Sequence, residues 1–560
     1  MNTKNQIQPS PLAKVNLLDK VIMGVSPRWG IERIKARITY GALGSNGFIG
    51  PGSSKRSMNG WNPRISSSAD EDSIPDLPTL RAGSRDLAMN TPIATGALKR
   101  IKTNVVGGGL SLQSRINYRT LGISKEEAAI WERNTEEEFK LFCKSCDASR
   151  TQNFDEQQAM VIYNKALSGE AFAILPMIRR VGDVYQTRIK IIEADMCCNP
   201  AQGANGLTVG GGSLVEGIEY DAYDAPVKYH FLKNRYGVSN FEWTSVDAYG
   251  KKSGKPNVLH LFDPERPGQK RGIPLLAPVM DSLKQLGRYA DAELMSTIIS
   301  SFFTVFIKTN SPHQTGFATP YSPLGGVAPR STDIKEEEKL ALGSGAIVNL
   351  GTDQEIQLAD PNRPNANFEP FFLAFCKMIG SAIEIPFEQL ILHFSSSYSA
   401  ARAALLEAWK KYRTERKWLV DNFCQPVYEA FLMEGIATGR IKAPGFFNDP
   451  LIAQAWSGSS WGGPGMGQID PLKETKAARE RINGLISSHE DEYIAINGGS
   501  DGGWEGCVGR LSREHDLITE LGLEMNVDKP TAPTAAPGNE TETDPAVPED
   551  NADGKGLPNE

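Results

Sequence analysis

The chain has 560 residues, a formal net charge of −7, 40% hydrophobic residues and 23% charged residues. This length excludes a single hydrophobic core and predicts three or four packed units. Seven cysteines, an odd number scattered along the chain, exclude a disulfide framework and indicate a reducing compartment. The N-terminus lacks the apolar core of a signal peptide, and the longest apolar run, residues 294–307, is too short to span a bilayer. We therefore expect no membrane segment.

The two ends of the chain differ in charge from its body. Residues 1–60 hold nine Lys and Arg against Asp19 and Glu32, and they end in a Gly/Ser-rich stretch, which predicts a basic flexible arm. Residues 528–560 hold eight acidic residues against two lysines, with six prolines and no aromatic residue, which predicts a disordered acidic tail. Residues 1–527 then carry a net charge of only −1, which opposes a regulatory protein that binds DNA through a basic face.

The first half of the chain reads as an α+β unit. A loop and a helix are predicted between residues 73 and 104. A second helix is predicted over 123–145, where Ile130, Trp131, Phe139 and Phe142 have helical spacing. From about 169 to 262 the apolar period falls toward two, and Gly and Pro divide the segments, which predicts strands at GEAFAILPMI, YQTRIKIIEA, GIEYDAYDAPVKYHFL, FEWTSV and NVLHLF.

Three long helices are predicted in the second half. The first covers 275–303, because apolar residues recur there every three or four positions. A small excursion follows at 304–358, with strands TVFIK and AIVNL on either side of the charged segment DIKEEEKLALG. A return helix covers 368–385 and ends before Pro386, and a third helix runs to Cys424 before Pro426. The stretch HFSSSYS, residues 393–399, connects the last two helices, and Ser397 or Ser399 is predicted to cap the third.

Few residues favour catalysis. Gly458–Gly462 has the G-x-S-x-G spacing of a nucleophile elbow, but the glycines and proline that follow prevent a helix there, so a Gly-rich turn is the simpler interpretation. Cys143 and Cys146 lack a second pair at zinc spacing and are interpreted as structural thiols. Without a paired-histidine motif or a P-loop lysine, we expect no metal, no cofactor and no ATP hydrolysis. A multi-domain serine hydrolase using His393 or Ser460 remains the alternative function.

Four segments, in order, carry a family resemblance between about Asp86 and Leu523. They are RDLAMNTPIATGALKRIKTNVVGGGLSLQ, HLFDPERPGQKRGIPLLAPVMDSLKQLGRYADAEL, IPFEQLILHFSSSYSAARAALLEAW and WSGSSWGGPGMGQIDPLKETKAARERINGLIS. Together they resemble the portal proteins of tailed bacteriophages, in particular the lambda family. The N-terminal arm and the acidic tail fall outside the resemblance.

The resemblance implies an α+β portal fold with a defined series of parts. It implies a wing at 61–270, stem helices at 271–303 and 359–385, a clip at 304–358, a tunnel loop at 386–399, a long helix returning to the wing at 400–440, and a mainly helical crown at 441–527. The arm at 1–60 and the tail at 528–560 complete the chain.

The resemblance also implies a structural role in the virion rather than catalysis. It implies a ring, usually a homododecamer, at one vertex of the capsid, which nucleates procapsid assembly and conducts double-stranded DNA during packaging and ejection. The implied partners are the terminase large subunit, a head-completion or adaptor protein, and the major capsid and scaffold proteins. Assembly would take place in the host cytoplasm, without a membrane.

The implied parts assign roles to three sets of residues. Residues 386–399 contain one carboxylate, Glu388, and no Lys or Arg, so they would offer a passing polyanion little counterion-release affinity. The cationic run after them is interpreted as a solvated or subunit-pairing helix face, with transient phosphate contact as the alternative. The run consists of Lys410, Lys411, Arg413, Arg416 and Lys417. The predicted channel residues are Gln389, His393, Ser395, Ser396, Ser397 and Tyr398; the candidate phosphate contacts are Lys410, Lys411 and Arg413; and the predicted clip residues that face the terminase are Lys335, Glu336, Glu337 and Glu338.

Overall fold

The computed structural model describes residues 66–200, 203, 205–207, 212–233, 242–251, 253–301, 305–309, 354–358, 367–393, 397–468, 470–497 and 503–522. The chain divides into two units, residues 1–68 and 69–560, and the description below concerns the second. Its described part is a mixture of helices and antiparallel sheets, so the predicted α+β class is confirmed.

Helices dominate the start of the second unit, and two of them begin with a capping box. Ser124 and Asn153 each accept a hydrogen bond from the third residue of their helix, whose glutamate side chain accepts one from the cap's own N–H. This capping box satisfies amide groups that a helix start leaves free. The helices are α1 (Ala69–Ser73), α2 (Leu77–Asn90), α3 (Pro92–Val105), α4 (Tyr118–Leu121), α5 (Lys125–Ser145) and α6 (Phe154–Ser168).

The helix predicted over 123–145 is α5, but its buried face excludes Ile130. Phe139 and Phe142 are buried, whereas Ile130 is 60% exposed. Ile130 lies nine residues before Phe139, about two and a half turns, which puts it on the opposite side of the helix. Ile130 therefore does not share the buried face of Phe139 and Phe142, although the sequence spacing grouped the three residues.

Most of the antiparallel strands that follow lie in the predicted period-two segments, but the strands at Gly206–Leu207 and Ser213–Val215 were not predicted. A three-stranded sheet has the order β3-β2-β9, and a five-stranded sheet runs β4-β5-β6-β7-β8 as a meander. The three-stranded sheet packs into the main core, while β2 also supplies Phe172 to a second core under the meander. The strands are β2 (Glu170–Ile174), β3 (Lys190–Glu193), β4 (Gly206–Leu207), β5 (Ser213–Val215), β6 (Ile218–Tyr220), β7 (Pro226–Leu232), β8 (Trp243–Asp247) and β9 (Val258–Phe262).

Two long helices form a hairpin in the next part of the chain. The first, α7 (Met280–Ser301), follows a 3₁₀ turn at Ala277–Val279, and the second is α8 (Phe368–Ile383). Aromatic rings join them, with the Tyr289 ring 4.7 Å from that of Phe371 and 5.6 Å from that of Phe368. Between the helices, β10 (Val305–Thr309) pairs antiparallel with β11 (Gln354–Leu358). The strand predicted at AIVNL, residues 346–350, lies outside the described residues.

The third long helix does not end before Pro426. It begins as α10 (Tyr398–Leu419), becomes a π-helix over Val420–Cys424, and continues as α11 (Gln425–Ala437). Pro426 cannot donate a backbone hydrogen bond, and a π segment is one way in which a long helix accommodates such an interruption. The predicted end of this helix at Cys424 is therefore wrong.

The C-terminal part is mainly helical, with one strand. Its strand β12 pairs with β1 (Ser111–Ser114) far upstream in the chain, in the register Ser460 to Gln113. Residues 458–462 are thus not the Gly-rich turn that the sequence predicted. The elements are α12 (Pro450–Trp456), β12 (Ser459–Gly462), α13 (Pro471–Asn483), α14 (His489–Asn497) and α15 (Gly503–Glu520).

The main core joins the N-terminal helices to the continuous helix formed by α10, the π segment and α11. The Phe139 ring of α5 meets Tyr428 and Phe431 of α11 edge-on, at centroid distances of 5.6 and 5.1 Å. Phe154 of α6 stacks on Phe423 of the π segment at 5.6 Å. Such buried aromatic pairs stabilise a contact beyond the area they bury. Within the described ranges, no helix is both long and apolar enough to cross a membrane.

Candidate functional site

The connection from α8 to α10 begins with a tight reversal. Glu384 adopts a left-handed conformation, with φ of 56°, and its N–H bonds to the carbonyl of Gly380. The Ile385 N–H bonds to the same carbonyl at 2.9 Å. A Cβ at position 380 would lie 2.5 Å from the Ile385 carbonyl oxygen, so this turn requires glycine there. Pro386 then prevents α8 from continuing.

A short helix occupies much of the segment predicted as an open loop. This helix, α9 (Phe387–Ile391), ends at Leu392, which again has a left-handed φ of 56°. It packs against α3, α8 and α10, and Leu390 is buried there. Residues 392–397 are therefore the part of the segment that lies between α9 and α10.

The predicted channel residues lie in different environments. Gln389 is buried in α9, and the Tyr412 hydroxyl donates a hydrogen bond to its Oε1 at 2.8 Å, so Gln389 lies inside the protomer rather than on its surface. His393 is exposed, and its N–H bonds to the Glu388 carbonyl at 3.1 Å. Ser397 caps α10, as predicted, by accepting from the Ala400 N–H. Ser395, Ser396 and the Tyr398 side chain lie outside the described residues.

The geometry does not support a serine hydrolase at either candidate residue, Ser460 or His393. Ser460 lies within β12 and is paired with a neighbouring strand, whereas a nucleophile elbow needs a sharp turn from a strand into a helix. Within the described ranges, no carboxylate contacts the His393 side chain. Burial raises the pKa of the Cys146 thiol to about 12, which fits the prediction of an unreactive structural thiol. Among the residues described, no cluster of His, Cys, Asp or Glu is arranged to hold a metal ion.

Most cations of the run on α10 have partners within the protomer. Lys411 Nζ donates to the Ile383 carbonyl at 2.8 Å, and Lys410 pairs with Glu407 at 2.6 Å. Arg416 donates to the carbonyls of residues 104, 105 and 464, and burial lowers its pKa to about 10. Arg413 is exposed and has no hydrogen bond or ion pair to any described residue. Of the candidate phosphate contacts, Arg413 is thus the most available to an external anion.

Comparison with known proteins decides the family. Residues 54–416, which include the helical hairpin, α9 and most of α10, match the family model described as phage portal protein, lambda family. The chain belongs to this family. The resemblance seen in the four sequence segments is thereby confirmed, and the matches give no support to the serine hydrolase alternative.

Two curated relatives match this portal protein over most of its length. Portal protein B of Escherichia phage lambda is 24% identical over 475 residues, which cover 80% of this chain and 85% of the relative. The portal protein of Escherichia phage N15 is 23% identical over 465 residues, with the same coverage.

Solved structures of gene transfer agent particles are also similar to this portal protein. A neck of an empty particle, computed with C6 symmetry, matches with a TM-score of 0.40 and 12% identity, covering 78% of this chain and 94% of that one. A virion of a native particle matches with a TM-score of 0.37 and 13% identity, covering 71% and 94%.

Two contacts at the site had no signal in the sequence. Tyr412 lies 23 residues from Gln389, and Arg402 of α10 bonds to Glu474 of α13, so neither contact has a local spacing that would predict it. Only the helical spacing of Ala408, Trp409 and Tyr412 could have predicted that Tyr412 is buried.

The predicted clip residues Lys335, Glu336, Glu337 and Glu338 lie outside the described residues.

Proposed function

We propose that this portal protein forms a closed ring of identical copies at one capsid vertex, and that double-stranded DNA passes through the central bore during packaging and ejection. The family match over residues 54–416 carries this proposal, because it includes both hairpin helices and the connection after them. The protein then acts as a structural conduit without catalytic activity. A partner, the terminase, supplies the energy for DNA movement.

Exposed apolar side chains at the far end of the hairpin support the ring. Leu294, Met295 and Ile298 of α7 are 61%, 57% and 43% exposed, and Phe371 of α8 is 42% exposed. Exposed apolar groups concentrated on one surface indicate a protein contact. A head-to-tail contact between different surfaces of successive copies closes into a ring when its rotation permits.

The low cationic charge around the connection supports passage of DNA. Each Lys or Arg bound to phosphate releases counterions and adds affinity that resists sliding. Residues 386–399 contain no Lys or Arg, and Lys410, Lys411 and Arg416 already bond within the protomer. The proposed channel residues are His393, Ser395, Ser396, Ser397 and Tyr398.

The remaining parts are proposed from the family. The clip, residues 304–358, would contact the terminase large subunit and later a head-completion protein, with Lys335 and Glu336–Glu338 at the contact. The crown would face the head interior, and the ring would nucleate assembly with capsid and scaffold proteins. The protein would assemble in the host cytoplasm and remain in the virion, with twelve copies as the expected number.

Electron microscopy and packaging assays test this function together. Purified protein should form rings with a central hole and a mass that is a multiple of 61.1 kDa. Replacing Ser395, Ser396 and Ser397 with lysine should slow DNA packaging, while replacing the same serines with asparagine, which is uncharged and can also cap α10, should not. Glu336→Lys, Glu337→Lys and Glu338→Lys together should reduce packaging without preventing ring formation. A monomer without a hole would contradict the ring, and normal packaging by the lysine variant would contradict a channel-facing connection.

A further inference from the structure

Two neighbouring side chains of α10, those of Lys411 and Tyr412, contact the connection that precedes this helix. Lys411 and Tyr412 are consecutive, so they point about 100° apart around the helix. Lys411 reaches the end of α8, and Tyr412 reaches α9. One turn of α10 therefore contacts both elements that lead to His393.

Lys411 completes the C-terminus of α8. The last carbonyls of a helix have no intrahelical donor, and the Lys411 ammonium donates to one of them, that of Ile383, at 2.8 Å. The same ammonium lies 3.4 Å from the Glu384 carboxylate, and its side chain is only 11% exposed. A cation is favourable at this end of a helix because the helix dipole is negative there.

Tyr412 fixes α9 through a buried hydrogen bond. The Tyr412 residue is fully buried, Gln389 is 9% exposed, and their side-chain oxygens lie 2.8 Å apart. A hydrogen bond in such surroundings is directional and costly to leave unmade, since no water replaces the lost partner. The side chain of Gln389 thus has a preferred position relative to α10.

The backbone before and after α9 needs this external support. Glu384 and Leu392 have left-handed conformations without being glycine, and residues in such conformations persist where the surroundings hold them. Leu392 is 64% exposed, so its own side chain provides little packing. The position of α9 therefore depends on the elements packed against it, α3, α8 and α10, and α10 contributes the buried bond from Tyr412 to Gln389.

We propose that Tyr412, assisted by Lys411, is a positioning residue that sets where α9 presents His393 to the DNA bore. This inference rests on the proposed function, because it assumes that the connection faces DNA. Neither Tyr412 nor Lys411 touches DNA. They act through Gln389 and through the end of α8.

Hydrogen exchange on assembled rings tests the contact without DNA. Tyr412→Phe removes the hydroxyl and keeps the ring, and Tyr428→Phe is the matched control, because Tyr428 is also fully buried and its hydroxyl bonds to Ser114 at 3.2 Å. Tyr412→Phe should speed exchange of the Gln389, Leu390 and His393 amides about fivefold, the factor expected for one net hydrogen bond. Tyr428→Phe should leave those amides unchanged. Unchanged exchange in Tyr412→Phe would refute the contact.

A second variant keeps the test valid if Tyr412→Phe does not assemble. Gln389→Leu removes the other partner, and it should speed exchange at Leu390 and His393 by a similar factor. The double variant Gln389→Leu/Tyr412→Phe should be no faster than either single variant, because both remove the same bond. Additive effects in the double variant would show that the two residues act separately, which would overturn the inference.

Lysine variants test the second part of the contact. Lys411→Met keeps the length of the side chain and removes its charge, and it should speed exchange of the Ile385 amide, which bonds to Gly380 at the end of α8. Lys410→Met is the matched control for exchange, since Lys410 is exposed and pairs with Glu407 on its own helix. Equal exchange in the two variants would remove Lys411 from the inference.

DNA packaging then tests the positioning role. Rings of Tyr412→Phe should package DNA at a lower velocity than rings of either wild type or Tyr428→Phe. If exchange at α9 rises but the velocity equals that of Tyr428→Phe, the contact is only structural and the positioning role is wrong. If wild-type rings fail to conduct DNA, the proposed function fails first, and the inference fails with it even where the exchange results hold.

Discussion

Glu170 lies in a buried network of charged side chains. It is fully buried at the start of β2, and its Oε1 accepts from Arg271 Nε and Arg81 Nη2, both at 2.7 Å. Its Oε2 accepts from the Gly272 N–H and contacts His260 Nε2, both at 2.9 Å. This carboxylate therefore ties α2, β2, β9 and the segment after β9 together.

Removing the charge of Glu170 should strongly destabilise the protein. In Glu170→Gln, Arg271 loses its counter-charge and Arg81 keeps only Asp195, and breaking such a buried network costs about 3–5 kcal/mol. Glu407→Gln is the control, because Glu407 is exposed and its pair with Lys410 should contribute under about 1 kcal/mol. Chemical denaturation monitored by tryptophan fluorescence measures both. A similar small loss in the two variants would mean that Glu170 is not the centre of this network.

Acid should weaken the same network in two steps. Burial lowers the pKa of His260 below its ordinary value of 6.5, although Glu170 opposes the shift. Burial alone would raise the pKa of Glu170, but Arg271 and Arg81 outweigh it and hold this pKa well below 4.5. Both folded-state values are depressed, so the stability contribution of each group is present above its ordinary pKa and is lost as pH falls below it.

We expect the unfolding temperature to fall below about pH 6.5 through His260, and further below about pH 4.5 through Glu170. His260→Phe keeps the ring stack with Phe172 and Phe262 and should remove the first step. Calorimetry of both proteins across pH 4–8 measures the difference. An identical pH profile for wild type and His260→Phe would contradict this origin.

At the scale of elements, a close backbone contact fixes the start of β2 against the segment after β9. A Cβ at Gly272 would lie 2.1 Å from the Gly169 carbonyl oxygen, so Gly272→Ala should destabilise by about 1–3 kcal/mol. Gly287, inside α7, has nothing within 4 Å of an added Cβ, so Gly287→Ala should stabilise by about 0.5–1 kcal/mol. Opposite shifts in thermal stability are expected, and equal shifts would contradict the close contact.

Periodicity predicted most elements, because their buried faces follow from local spacing. The helices around Phe139 and Leu283 were predicted within a few residues, as were β2, β3 and β6 to β9, whereas β4 and β5 were missed. The exposure of Ile130 was not predicted, because a large apolar residue outside the buried face of a helix cannot be distinguished from the buried residues by its type. The continuation past Pro426 was missed because the π segment that accommodates it has no simple sequence signal.

The candidate site was less predictable than the elements around it. The helix α9 has only five residues, and so short a helix has too few positions to show a hydrophobic period. The burial of Gln389 depends on Tyr412, which is on another helix. The strand at Ser459–Gly462 depends on its partner near residue 112, more than 300 positions away in the sequence. Local spacing carries no information about such contacts.

At the scale of the whole molecule, the described protomer buries a large aromatic core but leaves the far end of its helical hairpin apolar and exposed. The face of α7 that buries Leu283 and Leu286 continues in line to Leu294 and, nearby, Ile298. Leu294 and Ile298 are 61% and 43% exposed in the described protomer. In a ring, the neighbouring copy would cover them at every subunit boundary.

Charged residues at this end of α7 should therefore block assembly but not folding. Leu294 and Ile298 are exposed in the protomer, so Leu294→Asp with Ile298→Asp should change protomer stability little, whereas two carboxylates buried at each boundary would oppose the contact. Native mass spectrometry should show monomers and small oligomers in place of the ring. Val181→Asp is the control, since Val181 is fully exposed in a loop of the α+β part and should leave the ring intact. A normal ring formed by the double variant would mean that the copies meet through another surface.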